Sequence, residues 1–424
     1  SNSGANEEIA RHCSAVAMHM LHAAVWQIFL VWHAHSFKLS EPPSQVEDVE
    51  SRDTSALIAL KKKTTAAGFN DHGTKESLRR VFGRLAPYAD GEFVPRAYKA
   101  DSQKTLLVES DLSAWNNIRM SWEETVCYAF KSHRIYRVPL IHKSYADPRL
   151  LYDGPELNLF SYYDERSFKM VIPSMLDAEG TPLPGEFFAS VSIFDKQPET
   201  YEESNLIYRG GRDYIHLRAL GAYAADVRLT PHLDYVKLIE SAFKVKWSLL
   251  ERAMNRLKAH DLVPGQFVAI HRRRGDFDST YHEMHPELLT NDGVVRHVKH
   301  VVAKQSVLVV TDTYDQDFLT KLTTIGGATR VVCWANEPVT GDDQVFSAQV
   351  DMLAAVTAKN FIGTPESTFS FGITRWRLQS GWQHIGDPLL FLGPYDFSNQ
   401  GWNSPGAPGT YFISKKTILN QTQD

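Results

Sequence analysis

Apolar residues fall into two patterns along this 424-residue chain. Short, nearly unbroken apolar runs at Thr105–Val108, 135–140, 266–271, 306–311, 330–334 and 360–363 read as strands. Longer stretches carry apolar positions every third or fourth residue and predict helices. One covers Asn116 to His133, where Ile118, Trp122, Thr125 and Ala129 share a face. A second runs from His232 to His260 through Val236, Ile239, Phe243, Trp247, Leu250 and Met254, and two more cover 347–359 and 367–379. Strand, helix and strand within 105–140 form a βαβ unit, which requires a parallel sheet. The alternation returns from 266 to 379. The expected fold is therefore α/β, with two doubly wound domains facing each other across a cleft. No strand order follows for residues 141–231, which are rich in Tyr, Pro and Gly.

The expected organisation is a possible N-terminal signal anchor (1–40), a polar, breaker-rich stem or linker carrying one helix (41–103), a first domain (104–245), a second domain (246–400) and a tail (401–424). Within the first segment, Ala15 to Trp32 is uncharged but interrupted by His19, His22 and Gln27. It reads either as a membrane-spanning anchor or as an amphipathic or buried helix. The sequon Asn420-Gln421-Thr422 sits on the polar tail and fits a lumenal terminus. Together with the anchor it points to a single-pass type II membrane protein of the secretory pathway, in the Golgi or endoplasmic reticulum. Cys13, Cys127 and Cys333 lack metal-ligand spacing and allow at most one disulfide, which excludes a cysteine-stapled module.

A net charge of −5 gives no general attraction to nucleic acid, so any anion site must be local. The strongest local cluster is His271-Arg272-Arg273-Arg274-Gly275-Asp276-Phe277, directly after the strand at 266–271. In an open α/β sheet the carboxyl ends of the strands line the ligand crevice. Guanidinium groups stay charged and grip phosphate oxygens in a fork. A phosphate ligand fits this placement, and a solvated basic loop or a chance Arg-Gly-Asp adhesion signal are the plainer readings. A second cluster joins Asp351 to Phe361-Ile-Gly363-Thr364 and to Ser367 and Thr368 at the start of a helix. Helix amides and two hydroxyls make a phosphate site, although a simple N-cap looks the same in isolation. Asp351 suits a contact to a base or sugar, or a helix-dipole partner. With both clusters in one sheet, a diphosphate held between them is the economical explanation. Asp342-Asp343 lies in a Gly-rich turn and reads as surface charge rather than as a magnesium pair.

These motifs resemble those of fucosyltransferases that use GDP-fucose, most closely the protein O-fucosyltransferases. His271-x-Arg273-Arg274-Gly-Asp276-Phe resembles their His-x-Arg-Arg motif. Phe361-Ile-Gly-Thr followed by Ser367-Thr-Phe-Ser, with Asp351 upstream, resembles their donor motif. Ala114-Trp115-Asn116-Asn117-Ile-Arg119-Met resembles the asparagine-bearing loop that opens their first domain. The resemblance spans 105–380. It implies a GT-B glycosyltransferase with two Rossmann-like domains, inverting and metal-independent, with no cofactor beyond the GDP-fucose donor. GDP would be held by the second domain and a protein or glycan acceptor by the first; the alternatives are an α1,6-type fucosyltransferase acting on a glycan and a catalytically inactive sugar- or glycoprotein-binding module on the same fold. It further implies that Arg273 stabilises the departing β-phosphate and that His271, Arg274, Asp351, Ser367, Thr368 and Phe369 surround the nucleotide. Trp115, Asn116 and Asn117 would approach from the first domain. Some relatives carry a glutamate, proposed as the base, where this chain has Ala114. Asp276 or Asp111 are the open alternatives, Asp276 serving equally to orient the arginines.

Overall fold

The structure is a computed structural model describing residues 74–109, 115–138, 140–141, 157–176, 186–188, 204–209, 233–275, 290–337, 342–364, 367–383 and 390–392. The segment 15–32, the sequon, Asp111, Ala114 and Asp276 lie outside these residues. Among the described residues no helix is long and apolar enough to cross a membrane.

Two five-stranded parallel sheets organise the chain. The first is built from β1 (Asp101–Glu109), β2 (Arg134–Val138), β5 (Ser174–Leu176), β6 (Glu186–Phe188) and β7 (Asn205–Arg209), in the order β5-β2-β1-β7-β6. A two-residue antiparallel pair, β3 (Leu140–Ile141) and β4 (Leu157–Asn158), leads into α3 (Leu159–Tyr162) and α4 (Glu165–Val171). The βαβ unit expected at 105–140 is present, with α2 (Trp115–Lys131) joining β1 to the parallel β2. The stretch from 141 to 231, whose order the pattern left open, supplies β5, β6 and β7.

The second sheet runs β10-β9-β8-β11-β12, from β8 (Phe267–Arg272), β9 (Ser306–Thr311), β10 (Arg330–Val332), β11 (Asn360–Gly363) and β12 (Leu390–Phe391). Its helices are α7 (Asn291–Val302), α8 (Gln316–Thr324), α9 (Asp342–Val356) and α10 (Thr368–Ser380). All six residues of β8 are buried. Successive strand residues face opposite ways, and the core follows that rule. Phe267, Ala269, Leu308 and Val310 pack in one hydrophobic cluster, while Val268, Ile270, Val307 and Val309 pack in another with α7 and α8. Helices therefore cover both faces, and the doubly wound α/β expectation holds for this sheet.

Three expectations change in detail. The single helix expected over 232–260 is two, α5 (Leu233–Ala242) and α6 (Trp247–Ala259). Between them the backbone pairs elsewhere: Val245 N–H donates to Leu85 O at 2.8 Å, Lys246 N–H to Tyr162 O at 3.1 Å, and Lys244 O accepts from Asp164 N–H at 2.7 Å. Tertiary backbone bonds override the helical period there. The helix expected at 347–359 starts earlier, so Asp342 and Asp343 open α9 instead of lying in a turn. It ends at Val356, where the buried Arg377 donates to the carbonyls of Val356 and Ala358 at 2.8 and 2.6 Å. Finally, α1 (Lys75–Phe82) falls within the expected stem yet is built into the core. Leu78, Phe82 and Leu85 are fully buried, and Trp382 donates its indole N–H to Val81 O at 2.8 Å.

Candidate ligand site at the switch point of the second sheet

The order β10-β9-β8-β11-β12 places the first strand in the middle, with the chain winding outwards first to one side and then to the other. The reversal falls between β8 and β11, and ligands of such sheets bind outside the carboxyl ends of the strands at that point. β8 ends there with His271 and Arg272, followed by Arg273 and Arg274. β11 ends there with Gly363, followed by Thr364 and the start of α10.

Hydrogen bonds lock the two strand ends together. Thr364 Oγ1 donates to His271 O at 2.8 Å and accepts the Arg273 N–H at 3.0 Å. Ser370 Oγ accepts the Thr364 N–H at 2.9 Å and lies 2.8 Å from His271 Nδ1. The hydroxyl can give a proton to Nδ1 or accept one from it, and either way the pair fixes the ring orientation. The His271 ring also packs on Phe369, with centroids 4.7 Å apart. Gly363 is required by this closeness, since a Cβ there would lie 2.9 Å from Ser370 Cβ. Neither Thr364 nor Ser370 was assigned a role from the sequence, although both stand inside the quoted motif.

Burial, and after it the charge of Arg273, pushes the His271 pKa down to about 3. The unfolded chain takes up this proton near pH 6.5, whereas the folded chain does so only near pH 3. Stability associated with His271 is therefore present above pH 6.5 and is lost as pH falls through that window. Histidine-selective ¹⁵N NMR is expected to find His271 neutral at pH 5.5. Titration with a midpoint near 6.5 would contradict the assignment.

The three arginines are sorted by strand alternation. Arg272 is buried on the α8 face, its guanidinium 4.1 Å above the Phe318 ring. Burial raises the Asp315 pKa, but the Phe318 N–H, the Asn291 amide and the charges of Arg272 and Arg274 outweigh it and hold the carboxyl low. Arg272 and Arg274 thus act towards the β9–α8 turn. Arg273, whose charge acts on His271, belongs to the α10 side. Asp312, just past β9, accepts the Arg274 N–H at 2.9 Å, and a Cβ at Gly275 would lie 2.8 Å from its Oδ2, so a side chain there would have to displace this carboxylate. Asp312 thereby shapes the arginine loop. The only sequence signal for it was a polar residue one step beyond a strand.

Helix α10 begins with Ser367 as its N-cap residue, but no side chain among the described residues caps it. The Ser367 hydroxyl is buried without a hydrogen-bond partner among the described residues. Thr368 and Phe369 follow in the first turn, Thr368 buried and Phe369 partly so. A helix start with open amides, an unused hydroxyl and Arg273 alongside is suited to an anion.

Helix α2 reaches α10 through Asn116. Its Nδ2 donates to the Thr368 carbonyl, and its Oδ1 accepts from Arg119 Nε at 2.8 Å. Trp115 and Asn117 share the first turn of α2, and their side chains lie outside the described residues. Further along, Glu123 Oε1 accepts from both Arg119 Nη1, at 2.6 Å, and Arg375 Nη2. Asn116 meets Thr368, Arg119 lies against Gly372, and Glu123 meets Arg375, so the contacts advance in step along both helices. Helices α2 and α10 therefore run parallel with their N-termini together. Two positive dipole ends side by side favour a negative charge between them.

Among the described residues, the contacts of Asp351 lie elsewhere. Its Oδ1 accepts from the Trp334 indole N–H and lies 3.3 Å from Arg256 Nη1. Burial pushes its pKa up to about 6 in spite of Arg256. Arg256 in turn stacks on Trp334 at 4.5 Å, and Glu337 bonds both Arg256 and His260. In this arrangement Asp351 ties α9 to α6 and to the end of β10. Among the described residues, no three His, Cys, Asp or Glu side chains converge to hold a metal ion.

Among solved structures, POFUT1 in complex with GDP-fucose is similar at 12% identity and a TM-score of 0.43, over 69% of this chain and 98% of that one. The fucosyltransferase NodZ from Bradyrhizobium is similar at 14% identity and a TM-score of 0.42, over 66% of this chain and 94% of that one. Each is a likeness at an identity and TM-score too low to transfer a function. No family model and no curated protein matches the sequence.

Proposed function

We propose that this protein transfers fucose from GDP-fucose to an acceptor hydroxyl, with inversion at the anomeric carbon and without a metal ion. The observation that carries the reading is the uncapped N-terminus of α10 beside Arg273 at the switch point between β8 and β11. The motif resemblance across 105–380 supplies the identity of the donor. The acceptor is a Ser or Thr hydroxyl of a protein, with the first domain on the acceptor side. The protein would work in the secretory pathway.

In this scheme the α10 amides, with Ser367 and Thr368, hold the diphosphate, and Arg273 faces the oxygen that leaves with GDP. As the bond from the anomeric carbon to that oxygen breaks, negative charge grows on the phosphate and positive charge on the sugar. A fixed guanidinium gains interaction as this happens, so it favours the transition state over the bound donor. His271, neutral and held by Ser370, keeps the strand end in place without adding a second charge. The acceptor proton goes to a base, for which Asp276 is a candidate.

The test is ¹H NMR of a reaction containing GDP-fucose, EDTA and serine- or threonine-bearing acceptor domains. The expected result is release of GDP and a product of inverted anomeric configuration. Retained configuration, or turnover only when a divalent metal is restored, would reject the scheme.

A further inference from the structure

The buried network between α2 and α10 points to a role for Arg119 beyond that of a core ion pair. Arg119 is completely buried and uses its guanidinium in three directions. Nε holds Asn116, Nη1 holds Glu123, and the plane lies 5.6 Å from the Trp376 ring on α10. Gly372 passes against it so closely that a Cβ would sit 3.0 Å from Arg119 Nη2 and 2.9 Å from Asn116 Oδ1. Buried charges cost desolvation, and this network is not even saturated. Glu123 Oε2 and Arg375 Nη1 have no hydrogen-bond partner among the described residues. An apolar seam would serve stability at least as well. What the network does supply is a fixed orientation, because Asn116 is held by Arg119 on one side and grips the Thr368 carbonyl on the other.

We propose that Arg119 is a positioning residue for the ligand site: through Asn116 it sets the first turn of α10, and so the aim of the amides and hydroxyls that receive the anion. The ligand named here rests on the proposed GDP-fucose reading. The positioning itself does not.

Two variants and a control separate the possibilities. Arg119→Met removes both polar links. Arg119→Lys keeps a cation beside Glu123 but has no second arm for Asn116. Arg377→Met, at the far end of α10, removes the bonds to the Val356 and Ala358 carbonyls and serves as a control that disturbs the same helix. Hydrogen exchange of the ligand-free proteins should show faster exchange at 367–372 in both Arg119 variants and not in Arg377→Met. GDP affinity should fall about tenfold or more in both Arg119 variants, as expected for loss of a charge-assisted bond. Arg119→Lys should recover the melting temperature but not the affinity. Unchanged exchange at 367–372, or equal loss of affinity in the control, would overturn the proposal. Faster exchange in a protein whose parent ignores GDP would keep the strut and reject the ligand.

Discussion

Arg273→Ala is expected to lower fucosyl transfer by hundreds-fold or more, with the melting temperature nearly unchanged. Loss of one preorganised donor aimed at developing charge costs about 3–4 kcal/mol of transition-state stabilisation. Arg273 lies just past the end of β8 and is only partly buried, so truncation removes little packing. The neighbouring Arg272 provides the contrast. Its buried guanidinium covers Phe318, and Arg272→Ala should act on stability first. Steady-state kinetics and thermal melts on the two variants check the division. If Arg272→Ala abolished transfer while Arg273→Ala retained it, the sorting of the loop by strand alternation would be wrong.

Glu123→Ala is expected to destabilise the protein by about 3–5 kcal/mol, because it leaves Arg119 and Arg375 buried together without their shared carboxylate. Both guanidinium groups converge on Glu123 Oε1, and all three side chains are almost wholly buried. Equilibrium urea unfolding measures the loss directly. A change below about 1 kcal/mol would mean that water reaches the cluster and that the two helices are less firmly joined than the contacts imply.

Much of this frame can be read from local pattern. The runs at 266–271, 306–311 and 360–363 are strands buried on both faces, and such strands announce themselves as unbroken apolar sequence. β5, β6 and β7 do not, because they are short pieces set among residues rich in Tyr and Pro. The break at 243–246 is invisible locally for a different reason. Its causes are backbone bonds to Leu85 and Tyr162, far away in sequence.

The site divides along the same line. The arginine loop and the Ser367-Thr368 helix start were legible as charge and capping chemistry at strand ends. Alternation within 271–274 also separates Arg273 from its neighbours once the strand is extended through Arg272. Asn116 is different. The sequence suggested a ligand contact, and the structure gives it a partner in the Thr368 carbonyl of α10. Asp351 likewise has Trp334 and Arg256 as partners, neither of which the motif could have named.

The central claim is that the crevice between β8 and β11 holds a guanosine diphosphate through α10 and Arg273. Calorimetric titration of the protein with GDP in EDTA tests it most directly, with UDP and ADP as competitors and Arg273→Ala alongside. The account predicts GDP binding without metal, weaker binding of UDP and ADP, and a clear loss of GDP affinity in Arg273→Ala. Absence of GDP binding in EDTA, or equal affinity in the parent and in Arg273→Ala, would contradict it.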